Sequence, residues 1–455
     1  MQSKRIEKMP EQKSCGGLCE NSDGFKFIYE QVNYEGCPLN YAVYSLDTHK
    51  SYIKSALRST DVMFKPYPRI PWKPPTEALE YGSDLELWKE IKECIKQHLD
   101  HPDESTYDIL TAWIMATWTL ERWQAVPFVF AYGALETGKS RLLEILAALS
   151  FRAWLALGIT EANLFRPLEQ WHCTLFLDEA ETYFDKRELI GLLNASYRRG
   201  MYVPRQVETK TGYETHFYDC FGFKALGGTR QLAKTLSSRC ITFKMSRTTR
   251  KINLFIDEEQ TTKLRNKLLM YRFKKLEEFE DIEDFPERGI GFAEKIGRGR
   301  LAELFLPLYM TAPDTLKPLI TEHAIKTGLS RQEELAMSDE VTTLSAIMQA
   351  YNEGSVLHGN IKLKDLIFII NLSLSTKEEW TSRKVGALCS RLGFVKVRGE
   401  KGLTAIRWDS KLIDRLKKDK RYESCFTPSL PENASQSSNS STKKNWLEEK
   451  LKEAK

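Results

Sequence analysis

Residues 126–149 constrain the fold more than any other stretch of the chain. An apolar run, Val126–Tyr132, leads into Gly133-x-x-x-x-Gly138-Lys139-Ser140, and a helix-forming run, Lys139–Leu149, follows. Strand, glycine-bounded loop and helix are the context in which this octapeptide wraps a phosphate group. The glycines let the loop turn its backbone N–H groups inward, and the helix N-terminus adds further donors. Gly133, Ala134, Leu135, Glu136, Thr137, Gly138, Lys139, Ser140 and Arg141 are therefore the candidate nucleotide-binding residues. Lys139 would reach the β- and γ-phosphates, and Ser140 would offer its hydroxyl to Mg²⁺.

A second apolar run, Cys173–Leu177, ends in Asp178-Glu179-Ala180-Glu181. Open α/β sheets place their ligands at the C-terminal ends of their strands. Asp178 is the candidate Mg²⁺ carboxylate, and Glu179 the candidate for orienting and polarising the attacking water. Glu181 reads as a surface charge. The four letters also occur in large RNA helicases, but those need two tandem motor domains, and this chain has room for one.

Around these motifs the chain divides by composition. Residues 1–24 are polar and read as disordered. Residues 25–80 hold short strand-like runs and then a stiff linker with prolines at 66, 68, 71, 74 and 75. Residues 81–125 repeat apolar positions at helical spacing and predict two helices. Residues 126–250 alternate strands and helices, which predicts a parallel α/β core. Residues 251–338 are helical, 339–425 form a separate helix-rich module, and 426–455 turn to Pro, Ser and Asn as a flexible tail. The last ten residues, Trp446–Lys455, read as a short helix.

Composition narrows the setting. The net charge of +5 over 455 residues is mild. No run of about 18 apolar residues predicts a membrane-spanning helix, and no apolar secretion signal opens the chain. A cytoplasmic location is expected, with the nine cysteines mostly reduced. Cys15, Cys19 and Cys37, with His49 beyond, are a candidate zinc set. Their spacing fits no established pattern, and a disordered terminus is the other reading.

With both nucleotide motifs in hand, the sequence resembles the AAA+ superfamily. Residues 84–424 look more narrowly like the helicase-type ATPases of phages, plasmids and integrated elements, often linked to primases. The matching strings are Trp113-Ile-Met-Ala-Thr-Trp118, Thr137-Gly-Lys-Ser-Arg-Leu-Leu-Glu144, Leu164-Phe-Arg166, the acidic pair, Leu192-Leu-Asn194 and Leu236-Ser-Ser-Arg239. The resemblance implies an α/β AAA+ P-loop core with a parallel sheet, a helical lid and a C-terminal winged helix. It implies Thr229 as the polar sensor of the γ-phosphate, with Asn194 or Arg230 as substitutes. It implies Arg239 as an arginine finger acting on a neighbour's nucleotide, hence a homo-oligomer, a hexameric ring. It implies Arg300 as the second sensor arginine of the lid, with Arg298 as a rival. A guanidinium suits both tasks because it grips two phosphate oxygens in a plane.

Two further segments point to DNA. Met201–Glu208 and Tyr213–Asp219 flank Thr209-Lys-Thr-Gly212, the pattern of a β-hairpin. In ring helicases resembling this chain, a hairpin at this position points into the pore. Lys210 at its tip is the candidate phosphate contact, with Arg205 and Lys224 behind it. Residues 343–408 read as a winged helix: Leu363–Leu374, Trp380–Leu392, then strands around Gly399-Glu-Lys-Gly402. Ile361–Cys425 carries 16 Lys and Arg against 8 Asp and Glu, which favours phosphate contacts. Arg383 and Lys384 are the candidate helix contacts, and Lys396, Arg398 and Lys401 the candidate wing contacts.

The reading is an ATP- and Mg²⁺-dependent, ring-forming DNA motor in replication of a mobile element. A nucleotide-controlled DNA-binding or assembly ATPase that moves no strand is the alternative. The N-terminal segment shows no primase triad, so any primase would be a separate chain.

Overall fold

The computed structural model describes residues 10–426 except 158, 161–162, 184–185, 211, 279–284, 298, 337–338, 374–378 and 399–403. The tail expected from 426 lies outside the described residues from 427 onward. Two compact units divide after Gly328.

The first unit opens with strands. β1 (Glu11–Lys13), β6 (Leu57–Arg58) and β7 (Met63–Lys65) form one small sheet. β2 (Gly16–Glu20), β3 (Lys26–Tyr34), β4 (Cys37–Ser45) and β5 (Lys50–Lys54) form an antiparallel four-stranded sheet. The expectation of disorder over 1–24 thus fails over residues 11–20. β2 alone buries little, but its pairing with β3 satisfies its backbone and buries Cys19.

Helices α1 (Asp84–His98) and α2 (Ser105–Thr117) follow. Ser83 and Glu86 close a reciprocal capping box at the start of α1. The α1 stripe Leu87, Trp88, Ile91 and Ile95 is buried. Nearly all of α2 is buried as well, and Trp88 Nε1 and Lys92 Nζ both donate to Asp108, at 3.0 and 2.7 Å.

The central sheet comes next: β8 (Phe128–Tyr132), α3 (Lys139–Leu149), β9 (Ala153–Ala156), α4 (Phe165–Trp171), β10 (Thr174–Leu177) and α5 (Arg187–Ala195). The hairpin β11 (Tyr202–Thr209) and β12 (Gly212–Asp219) is inserted before β13 (Lys224–Gly228), α6 (Lys234–Ser237) and β14 (Cys240–Lys244). All five sheet strands are parallel, in the order β14-β8-β13-β10-β9. β10 and β13 are buried throughout, as parallel strands covered on both faces require. Helices α7 (Glu258–Glu277), α8 (Phe285–Ile296), α9 (Arg300–Thr311) and α10 (Lys317–Ala336) complete the run, α10 crossing the unit boundary.

The stretches that composition divides near 80, 125 and 250 share one apolar core, from Ile28 to Ala324. An ionic network, buried at Glu30, Arg152 and Arg272, ties them as well. Arg152 holds Glu30 of β3 by two hydrogen bonds of 2.7 and 2.8 Å. Arg272 of α7 holds Glu121 by bonds of 2.8 and 2.5 Å. The second unit has its own core and the order α11 (Asp339–Asn352), β15 (Asn360–Lys362), α12 (Leu363–Ser373), α13 (Ser382–Leu392), β16 (Lys396–Arg398), β17 (Thr404–Arg407) and α14 (Ser410–Lys417). Its sheet is antiparallel, ordered β15-β17-β16.

No described helix is long and apolar enough to cross a membrane. The candidate zinc residues do not converge. Cys15 and Cys19 are buried, Cys37 is exposed, and His49 pairs with Glu277. Burial pushes the Cys15 thiol up to about 12 and the Cys19 thiol up to about 11, which disfavours the thiolates a metal needs. Among the described residues no group of three His, Cys, Asp or Glu is placed to hold a metal.

Candidate functional site

The C-terminal ends of β8, β10 and β13 meet at one edge of the sheet. Register sets Gly228 beside Tyr132 and Leu226 beside Leu177, so the residues that follow each strand emerge together. From β8 comes the glycine loop. Gly138 caps α3 with a φ of 86°, a conformation that suits glycine, and the first turn of α3 presents unpaired N–H groups at that edge. Thr137 Oγ1 donates to Ala134 O at 2.8 Å and braces the loop, while Lys139 Nζ folds back to the same carbonyl at 2.5 Å.

From β10 comes the acidic pair. Ser140 Oγ donates to Asp178 Oδ2 at 2.5 Å. A hydroxyl and a carboxylate meeting at the mouth of the glycine loop suit Mg²⁺, which binds one or two protein oxygens and takes its other ligands from water and phosphate. Asp178 Oδ1 accepts from the Glu179 N–H at 2.9 Å. That turn holds Glu179 at a φ of 51° with its side chain exposed.

From β13 comes Thr229. Its hydroxyl donates to Glu181 Oε1 at 2.7 Å and its N–H to Glu181 Oε2 at 3.2 Å. Glu181 is therefore no free surface charge: it fixes the threonine. Burial alone would raise its pKa, but the Thr229 bonds and the nearby Lys139 charge bring it below the usual carboxylate range. The glycine pair before Thr229 has the same cause. A Cβ on Gly227 would stand 2.7 Å from Asp178 Oδ1, and one on Gly228 would stand 2.9 Å from Glu181 Oε2. Both contacts cross strands, so sequence spacing alone does not reveal them. Of the substitutes for Thr229, Arg230 is exposed, and Asn194 lends only its backbone carbonyl, to Arg239.

Arg239 and Arg300 are not brought to this edge. Arg239 precedes β14, whose first residue pairs with Phe128 and whose last pairs with Tyr132. It thus stands at the opposite end of the sheet, five residues or about 17 Å down the strands from the level of Tyr132, at 3.3 Å per residue. Its Nε donates to Asn194 O at 3.1 Å, and its guanidinium lies 4.7 Å from the Tyr197 ring. Arg300 lies on the same ring at 5.2 Å and donates to Ser238 Oγ at 2.7 Å. Arg300, the candidate second sensor, thus stands with Arg239 and away from the glycine loop. Burial and the Arg300 charge lower the Arg239 pKa, and neither arginine has a carboxylate partner among the described residues. Arg298 lies outside the described residues.

The hairpin has two unlike faces. Val203 and Tyr218 turn inward and are buried. The opposite face shows Tyr202, Tyr213 and Phe217 to solvent, and Lys210 is exposed at the tip. The aromatic face escaped the sequence reading, which weighed only cations. Arg205 is engaged by Glu188 at 2.9 Å and by the Phe165 ring.

Lys224 is withdrawn as a DNA contact. It is fully buried, with Nζ donating to Cys220 O and Gly222 O at 2.8 Å each. Burial lowers its pKa to about 8. Between pH 8 and the ordinary lysine value the unfolded chain holds a proton that the folded chain has lost, so stability rises with pH across that window. Relative to Lys224→Met, the wild type should gain on the order of 3 kcal/mol from pH 8 to 10.5. Denaturant unfolding at both pH values measures this; parallel profiles would contradict it.

In the second unit Arg383 and Arg398 are exposed. Lys384 is occupied by Asp339 at 3.1 Å and the Trp380 ring at 3.9 Å. Lys396 lies over Gly386, where a Cβ would stand 3.1 Å from its Nζ, so β16 and α13 share one basic surface. Lys401 lies outside the described residues.

No family model matches the chain, and no curated protein does. Several solved structures are similar to it. The apo C-terminal region of NrS-1 is 12% identical over 87% of this chain and 96% of that one, with a TM-score of 0.36. A full-length MCM homolog from Methanopyrus kandleri is 11% identical over 69% and 75%, with a TM-score of 0.35. JCV helicase is 12% identical over 56% and 63%, with a TM-score of 0.22. The chemistry of the site is read from its own atoms.

Proposed function

We propose that this chain is an ATP-hydrolysing, ring-forming motor of the AAA+ type that moves on single-stranded DNA, in replication of a mobile element. One observation carries the reading. The phosphate loop, Ser140–Asp178, Glu179 and Thr229 converge at one end of the sheet. Two arginines with no carboxylate partner among the described residues stand at the other end. Arginines beyond reach of their own loop can still serve the nucleotide of a second copy.

Within one copy, the loop amides and Lys139 bind the triphosphate. Ser140 and Asp178 would hold Mg²⁺, which would supply positive charge against the triphosphate. The Glu179 carboxylate orients a water toward the γ-phosphorus and accepts its proton as the β–γ bridging bond breaks, giving ADP and phosphate. Thr229, held by Glu181, meets the γ-phosphate. Arg239 and Arg300 of the next copy offset the charge of the departing phosphoryl group. A lid over 251–338 would close on the nucleotide.

The hairpin supports DNA as the substrate. Lys210 offers a phosphate contact, and Tyr202, Tyr213 and Phe217 offer faces on which bases stack without sequence preference. The second unit has the element order of a winged helix, and its basic surface at Arg383, Lys396 and Arg398 would guide loading.

Displacement of a strand from a forked duplex tests the reading. Wild type should displace it with ATP and Mg²⁺. Lys210→Ala and Tyr213→Ala should lose displacement by about tenfold or more, with stacking worth about 1–3 kcal/mol per base, while basal hydrolysis stays. ATP hydrolysis without displacement by the wild type would reject the motor in favour of a DNA-bound assembly ATPase.

A further inference from the structure

The strap between β14 and α7 runs beside the phosphate loop and is held tightly by its backbone. Asn253 N–H donates to Gln97 O at 2.8 Å, and Arg141 Nη2 donates to Leu254 O at 2.6 Å. His98 Nε2 donates to Phe255 O at 3.1 Å. Arg250 is bound to Asp100 at 3.2 Å. Yet the two large side chains on this fixed strap face solvent: Leu254 is 69% exposed and Phe255 81%. Leu135 on the neighbouring loop is 76% exposed. A rigid backbone that displays a phenylalanine is a preformed apolar knob, and singly exposed groups of this size rarely cluster without a partner.

A matching hollow lies at the arginine end. Between α8 and α9 is a groove of about 270 Å³, lined by Gly289, Ile290, Phe292, Ala302, Glu303 and Leu306. Glu303 stands 3.7 Å from Arg198, and Arg300, one turn earlier on α9, joins Arg239 at Tyr197. The groove therefore borders the arginine pair, as the knob borders the phosphate loop. Charge follows the same division. The strap that carries the knob shows Arg247, Arg250 and Lys251 to solvent, and the groove is lined by the carboxylate of Glu303.

We propose that the Leu254–Phe255 knob of one copy seats in the α8–α9 groove of the next, a head-to-tail contact that brings Arg239 and Arg300 to the neighbouring nucleotide. This rests on the ring reading above and assigns its apolar anchor. Knob and groove are different surfaces, so the contact is heterologous and repeats around a closed ring. A phenylalanine buries roughly 150–250 Å² when enclosed, and aromatic anchors in pockets dominate interface energies. The resulting nucleotide site is shared, so assembly and hydrolysis rise and fall together.

The test uses full-length Phe255→Asp and Ile290→Asp chains, in sedimentation and ATPase assays with Mg–ATP and single-stranded DNA. Each variant alone should stay monomeric where wild type forms rings, and hydrolyse at least tenfold more slowly. Each should bind a fluorescent ATP analogue as wild type does. Mixed, the two should form dimers through their one intact pairing, the knob of the Ile290→Asp chain in the groove of the Phe255→Asp chain, and regain hydrolysis. Adding Arg239→Ala to the Phe255→Asp chain should abolish that gain; adding it to the Ile290→Asp chain should not. Rings formed by either variant alone, a mixture without dimers or hydrolysis, or loss of analogue binding by Phe255→Asp with assembly intact would overturn the knob and groove. A wild type that stays monomeric would instead overturn the ring itself.

Discussion

A Glu179→Gln chain is expected to bind Mg–ATP as tightly as wild type and to hydrolyse it about 10²–10⁴-fold more slowly, the usual worth of a positioned general base. The separation follows from geometry. The proposed Mg²⁺ oxygens, Ser140 Oγ and Asp178 Oδ2, and the loop with Lys139 are untouched by the change. Glu179 is exposed beyond them, held at its turn by a backbone hydrogen bond to Asp178 that glutamine keeps. Such a chain should stay on DNA in its ATP state without displacing a strand. Single-turnover hydrolysis and equilibrium binding, measured side by side, check it. Turnover within threefold of wild type would remove Glu179 from the chemistry.

The second large effect is expected at the other end of the sheet. Arg239→Ala should assemble with ATP yet lose about 10³–10⁵-fold in turnover, the range known for arginines that enter a phosphoryl-transfer site in trans. The loss should appear as a composition effect. Mixed with Lys139→Ala chains, which should bind no nucleotide but carry an intact Arg239, the Arg239→Ala chains should recover hydrolysis at mixed interfaces. The guanidinium packs on Tyr197 and bonds to two carbonyls, so a purely structural role would also reduce stability. An unchanged unfolding midpoint with lost turnover separates the two roles. Full turnover by the Arg239→Ala chain alone would refute action in trans.

The parts of the site that were legible in the sequence are those whose cause is local. The loop announces itself because a left-handed Gly138 must precede the lysine that heads α3, and an apolar strand must feed it. Asp178 and Glu179 are legible because a short buried strand ends at them. Contacts made across strands leave no spacing to read. Glu181 sits in an acidic string like its neighbours, and only the pairing of β10 with β13 turns it toward Thr229. The Gly227–Gly228 pair is a mark of that proximity, but its meaning needs the opposing carboxylates. Lys224 looks like any cation near a hairpin, yet its position in a central strand buries it. Residues 11–20, weakly apolar and glycine-containing, become strands through their neighbours. Arg300 depends on how α9 packs beside β14, a tertiary fact that its Gly-Arg-Gly-Arg setting does not encode.

Titration calorimetry of Mg–ATP into wild type, into Lys139→Ala, and into wild type with EDTA in place of Mg²⁺ tests the proposed nucleotide site most directly. Saturable binding by wild type, abolished by Lys139→Ala and strongly weakened without Mg²⁺, is the expected result. A wild-type chain that takes up no nucleotide, or one whose affinity ignores both Lys139 and the metal, would contradict it.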